Sequence, residues 1–72
     1  MNVTQFKAII ADIENGRGPC SLIIIPRVGE IAVDVTWQWV DEANGVIKLL
    51  RDGGTIYTTV ENIATVASGG PV

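Results

Sequence analysis

The sequence predicts a mainly β domain: a short N-terminal helix followed by a five-stranded, strongly bent antiparallel sheet forming a small barrel. Three observations carry this. The apolar residues are β-branched: Val and Ile number nineteen against three Leu. Such side chains are stiff at χ1 and pack well on a pleated surface. Turn signals built from Gly, Asn and Asp recur at short intervals after residue 27, as they do between sequential antiparallel strands. Only the first fifteen residues carry a helical period. At 72 residues the chain has room for one core, so residues 1–72 read as a single domain without linker or internal repeat.

Phe6, Ile9, Ile10 and Ile13 fall at i, i+3, i+4 and i+7, one face of a helix. Asn2 caps it and Gln5 stands three residues on, the spacing of a capping box. Asn15-Gly16 offers a left-handed stop, and Pro19 prevents resumption. The helix is therefore placed at residues 3–15, with Lys7, Asp12 and Glu14 on its wet side. A helix this short must pack on something.

The first strand covers residues 20–27, and its unbroken run Leu22-Ile23-Ile24-Ile25 predicts burial on both faces. Val28-Gly29-Glu30 is a turn. The second strand, residues 31–40, alternates: Ile31, Val33, Val35, Trp37 and Trp39 on one side, Ala32, Asp34, Thr36, Gln38 and Val40 on the other. Residues 41–45 end in Asn-Gly, a strong hairpin signal. The third strand is 46–51, Asp52-Gly53-Gly54 is a second turn, and the fourth strand is 55–60. Glu61-Asn62 reads as a short 3₁₀ break. The fifth strand is 63–67, and residues 68–72 are a tail expected to fray.

Composition narrows the chemistry. There is no histidine and one cysteine, so a single chain cannot build a Cys/His zinc site, a disulfide framework or a His-dependent catalytic triad. Asp41, Glu42 and Asp52 lie in turns, where Asp belongs for backbone reasons. Asp34 is mid-strand and is placed facing water or a subunit boundary. No base or nucleophile accompanies these carboxylates, and Gly16-Arg17-Gly18 and Gly53-Gly54 lack the lysine and spacing of a phosphate loop. We therefore expect no enzyme, no cofactor and no metal. The net charge is −3 and the pI about 4.5, which opposes broad attraction to nucleic acid or anionic membrane. No apolar run reaches membrane-spanning length, no secretory signal is visible, and the lone Cys20 suits a reducing interior. A cytoplasmic protein is expected, the host cytoplasm if it is a phage component.

Tyr57-Thr58-Thr59-Val60-Glu61-Asn62-Ile63-Ala64-Thr65-Val66 resembles the second sequence motif of Sm-like proteins, including bacterial Hfq. There a strand meets a one-turn break and then a last short strand. The order of helix and five strands is similar too. The resemblance implies an Sm-like fold, within the wider group of SH3-like barrels. It also implies a cyclic homo-oligomer of about five to seven subunits in which the fourth strand of one copy pairs with the fifth of the next. Tyr57, Thr59, Ile63 and Thr65 would then line the seam. It further implies single-stranded RNA as ligand, with Asn44 and Thr59 at the family's contact positions. The chain departs from the family where RNA is held: Thr59-Val60 replaces an Arg-Gly pair, Val35 takes the approximate place of a glycine, Asp41-Glu42-Ala43-Asn44 is one residue short, and Ala43 stands where a base-stacking side chain is usual.

Oligomerisation is also expected without the family. A core this small supplies only ~3–5 kcal/mol, and the last two strands are rich in Val, Ile and Thr with no lysine to discourage pairing. Three further features bear on a ligand. Trp37 and Trp39 project to one face, where they either stack bases or, the reading we favour, fill the core or a subunit interface. Arg17, Arg27 and Arg51 make a basic zone only if a ring gathers them on one face; otherwise they are separate surface charges. The functional expectation is a ring-forming Sm-like protein that binds single-stranded RNA or nucleotides through Asn44, Thr59, Arg27, Arg51, Trp37 and Trp39. The alternative is a structural or accessory homo-oligomer, of a phage type for instance, that acts through protein contacts alone.

Overall fold

The computed structural model describes residues 1–18 and 20–69, with only the backbone of Arg17. The expectations for Pro19, for residues 70–72 and for the Arg17 side chain lie outside the described residues. The elements are α1 (Val3–Arg17), β1 (Leu22–Pro26), β2 (Ala32–Asp41), β3 (Val46–Arg51), β4 (Gly54–Thr59), a 3₁₀ turn (Val60–Asn62) and β5 (Ile63–Ser68). The chain is thus one helix and a five-stranded antiparallel sheet, in the order β4-β3-β2-β1-β5. The barrel expectation is corrected on one point: β4 and β5 are the two outer strands of the sheet, which is neither closed nor strongly curled.

Both halves of the capping box are present in α1. The Gln5 nitrogen donates to Asn2 Oδ1 (2.8 Å) and the Asn2 nitrogen donates to Gln5 Oε1 (3.0 Å). The helix runs through Asn15-Gly16, two residues beyond the predicted end. It stops at Gly18, whose φ of +71° suits glycine and whose N–H reaches the Glu14 carbonyl at 2.7 Å. Phe6 and Ile10 are buried and Ile13 packs against the core, while Ile9 is half-buried at the flank.

β2 belongs to both halves of the sheet, and its N-terminal part departs from the predicted alternation. Leu22 pairs with Val35 but Ile24 pairs with Ala32, so three steps on β2 oppose two on β1. Asp34 sits in this bulge at φ +54°, a left-handed conformation. The extra residue reverses the sides before it. Ala32 and Val35 are buried, whereas Ile31 and Val33 are more than half exposed. Beyond the bulge the alternation holds, and the inner rows across the sheet read Trp37, Leu49, Ile56 and Trp39, Ile47, Thr58.

β1 pairs with β2 on one side and β5 on the other, and its expected burial on both faces is complete on one only: Leu22 and Ile24 are buried, Ile23 and Ile25 half-buried. Val60, placed by sequence at the end of the fourth strand, instead opens the 3₁₀ turn and is buried. Ser68 and Gly69, placed in the tail, are held: Ser68 ends β5 opposite Leu22, and the Gly69 N–H donates to the Ser21 carbonyl (2.7 Å). Asn62 staples the β1–β2 connection. Its side-chain amide donates to the Val28 carbonyl (3.2 Å), and its own carbonyl accepts from the Arg27 N–H (2.6 Å).

Candidate functional site

Two places bring together residues singled out from the sequence: the outer strands of the sheet, and the junction of the β2–β3 and β4–β5 connections.

Each edge is six residues long. Among the described residues β4 (Gly-Thr-Ile-Tyr-Thr-Thr) pairs with β3 and β5 (Ile-Ala-Thr-Val-Ala-Ser) with β1, and no other strand joins either. Neither holds a charged residue. Tyr57 is 66 % exposed, and Thr55, Thr59, Ala64 and Thr65 are also exposed. Ile63 is a correction. Its side chain is fully buried in the core of its own chain, because it is the inward-facing residue with which β5 begins, so only its backbone is at the edge. A lateral pairing surface therefore consists of backbone groups flanked by Tyr57, Thr59 and Thr65, without Ile63.

At the junction, Thr59 pairs with Val46 and the Val60 N–H donates to the Gly45 carbonyl (2.8 Å), so the turn bearing Asn44 lies against the end of β4. Gly45 suits its place: its φ is +68°, where any side chain is strained, and a Cβ there would lie 3.2 Å from Val3 Cγ2. Asn44 is committed within its own turn. Its side-chain amide donates to Asp41 Oδ2 (2.7 Å) and its backbone N–H to Asp41 Oδ1 (3.3 Å). The side-chain amide first, and the Asn44 and Ala43 backbone N–H groups after it, hold the Asp41 carboxyl below its ordinary value. Lys7 reaches Glu42 at 3.0 Å, tying α1 to this turn. The Met1 ammonium also sits here, donating to the Ile63 carbonyl (2.7 Å) and the Val60 carbonyl (3.4 Å). With Asp41 and Glu42 on one connection and Glu61 following Val60 on the other, three carboxylates still outnumber the two ammonium groups, a poor setting for phosphate.

The remaining candidates are dispersed. Arg51 pairs with Gly54 at the far end of the β3–β4 ladder from Thr59, about 17 Å away at the usual rise per residue. It lines an open cleft with Asp34 and Asp52. Arg27 lines another cleft with Gln5, Ile9 and Ala64. Trp37 and Trp39 form an aromatic cluster with buried Phe6. The Phe6–Trp37, Phe6–Trp39 and Trp37–Trp39 centroids are 4.9, 5.7 and 5.1 Å apart, each pair nearly perpendicular. The two indoles cross at 87°, so they do not form the parallel platform that base stacking requires. They pack the helix onto the sheet.

Among the described residues no three His, Cys, Asp or Glu side chains gather as a metal site, and no helix is long and apolar enough to cross a membrane. Sequence reasoning missed the left-handed Asp34 and the Asn62 staple. The first had one usable signal, an Asp within a β-branched run, since Asp and Asn tolerate that conformation best after Gly. Comparison with protein-family models, with curated proteins and with solved structures finds no match to this chain.

Proposed function

We propose that this protein is a self-assembling module: β4 of one copy adds to β5 of the next, closing a homo-oligomeric ring that acts through protein contacts. One observation carries the reading. Both ends of an open sheet are six-residue strands without a charge or a proline, and among the described residues each pairs with one neighbouring strand, the Met1 ammonium alone reaching the first carbonyl of β5. Monomeric proteins commonly blunt such edges with lysine, proline or a covering loop. Two unlike edges on one chain make a head-to-tail contact, and a closed ring satisfies both without open-ended growth.

The experiment is a charge swap across the seam, read as mass by light scattering. Tyr57→Lys with Thr65→Lys puts like charges on both edges and is expected to yield monomers. Tyr57→Lys with Thr65→Glu is expected to restore the assembly. A monomeric wild-type chain, or an assembly indifferent to both variants, removes the proposal.

Single-stranded RNA at the junction of Asn44 and Thr59 is the second reading, favoured by the contact between their two turns. The carboxylates there weigh against it. Titration of labelled oligo-U and oligo-A tests it: binding that weakens as salt rises supports RNA, and no binding near physiological salt leaves the protein-contact reading alone.

A further inference from the structure

The start of β5 is closed by the amino group of Met1. Ile63, its first residue, stands opposite Pro26, and the Arg27 N–H donates to the Asn62 carbonyl (2.6 Å). A bond between the residues flanking an antiparallel pair marks that pair as one whose own N–H and C=O turn away from the partner strand. Pro26, which lacks an N–H, could not form the other kind. Ile63 therefore directs both backbone groups away from β1. Its N–H donates to the Val60 carbonyl, closing the 3₁₀ turn. Its C=O accepts from the Met1 ammonium at 2.7 Å, and the same nitrogen reaches the Val60 carbonyl at 3.4 Å. The Val60 and Ile63 side chains are buried, and Met1 packs against the same core.

One nitrogen thus ties the entrance of α1, whose N-cap Asn2 is the next residue, to the 3₁₀ turn and to β5. The tie draws on what an ammonium has: a positive charge and three N–H donors. Bonds of this kind are roughly twice as strong as neutral ones. An acylated nitrogen has no charge and a single N–H, and it carries a new carbonyl held in its own plane. It cannot serve both acceptors. We propose that the Met1 amino nitrogen is a modification-sensitive clamp: free, it fastens the helix entrance to the turn and to β5, and an acyl group on it opens that end of the molecule. The acyl group comes from a thioester. The nitrogen gives one proton to solvent and attacks the thioester carbon; the N–C bond forms, the C–S bond breaks, and a second proton leaves with the thiol. The clamp works within one chain and is independent of the assembly proposed above.

Two measurements test it. The whole chain is prepared by chemical synthesis with a free and with an acetylated Met1, and amide exchange is followed by NMR. Acetylation is expected to speed exchange of the Ile63 N–H about tenfold. The Gly69 N–H, which donates to the Ser21 carbonyl at the far end of β5, should keep its rate. The second measurement needs no modified chain to fold. Under limiting acetic anhydride the Met1 amine of the folded protein should react about tenfold more slowly than that of a peptide of residues 1–5, because the nitrogen reacts only when the clamp is open. In concentrated urea the two should react alike. An Ile63 rate indifferent to acetylation, an equal change at Gly69, or a Met1 amine as reactive in the folded protein as in the peptide would each overturn the clamp.

Discussion

Asp34 holds a backbone conformation that costs an L-residue about 1–2 kcal/mol. Glycine adopts it freely but loses more entropy on folding, about 0.5–1 kcal/mol. The balance is small and positive: Asp34→Gly is expected to raise unfolding stability by about 0.5–1 kcal/mol. Asp34→Val, β-branched and poorly suited to positive φ, should lower it by about 2 kcal/mol. Urea denaturation of the two variants decides it, and a stabilised valine variant would remove the strain. Asp41 supplies a pH-dependent counterpart. Its folded pKa lies below its unfolded value because Asn44 donates to the charged form. The contribution is therefore complete above the unfolded carboxyl range and is lost as the pH falls through the folded pKa. Asn44→Ala removes the first cause, so the Asp41 carboxyl, followed by carbon NMR, should titrate at higher pH than in the wild type.

At the scale of elements, the helix is fastened by an aromatic wedge. Phe6 is fully buried edge-on against two indoles, and Phe6→Ala is expected to cost about 3–5 kcal/mol. Ile9→Ala, on the same predicted face but only half-buried, should cost under about 1.5 kcal/mol. Thermal unfolding compares the two, and equal losses would mean that the wedge is not what fastens α1. This contrast marks how far the sequence could be read. The capping box and the helical face depend on neighbours a turn apart, so Asn2, Gln5, Phe6 and Ile10 were legible. The end of the helix was not, because Asn15-Gly16 and Gly18 are alternative stops and packing chooses between them. The bulge was hidden for a related reason. Ile31 and Val33 are as apolar as Val35, so the period-two pattern ran on unbroken, and only the pairing with β1 breaks it. The candidate site was legible as residue types and not as a place. The residues next to Asn44 and Thr59 do meet, through the Val60–Gly45 hydrogen bond, while Arg27 and Arg51 line separate clefts and Ile63 faces inward.

At the scale of the whole molecule, the proposed pairing of two uncharged outer strands would couple the stability of so small a core to association. If copies join through β4 and β5, the melting temperature should rise with protein concentration, because partner binding favours the folded state by mass action. Differential scanning across about a hundredfold range of concentration measures this. A melting temperature that does not move would place the stability within one chain. The sheet also has an order of construction. β1 lies between β2 and β5, and the β1–β5 ladder from Leu22↔Ser68 to Pro26↔Ile63 joins positions about 40 residues apart. During synthesis the second flank of the Leu-Ile-Ile-Ile segment therefore stays open while some forty further residues leave the ribosome. Over that interval the stickiest stretch of the polypeptide depends on the speed of translation, or on a chaperone, to keep it from unwanted company.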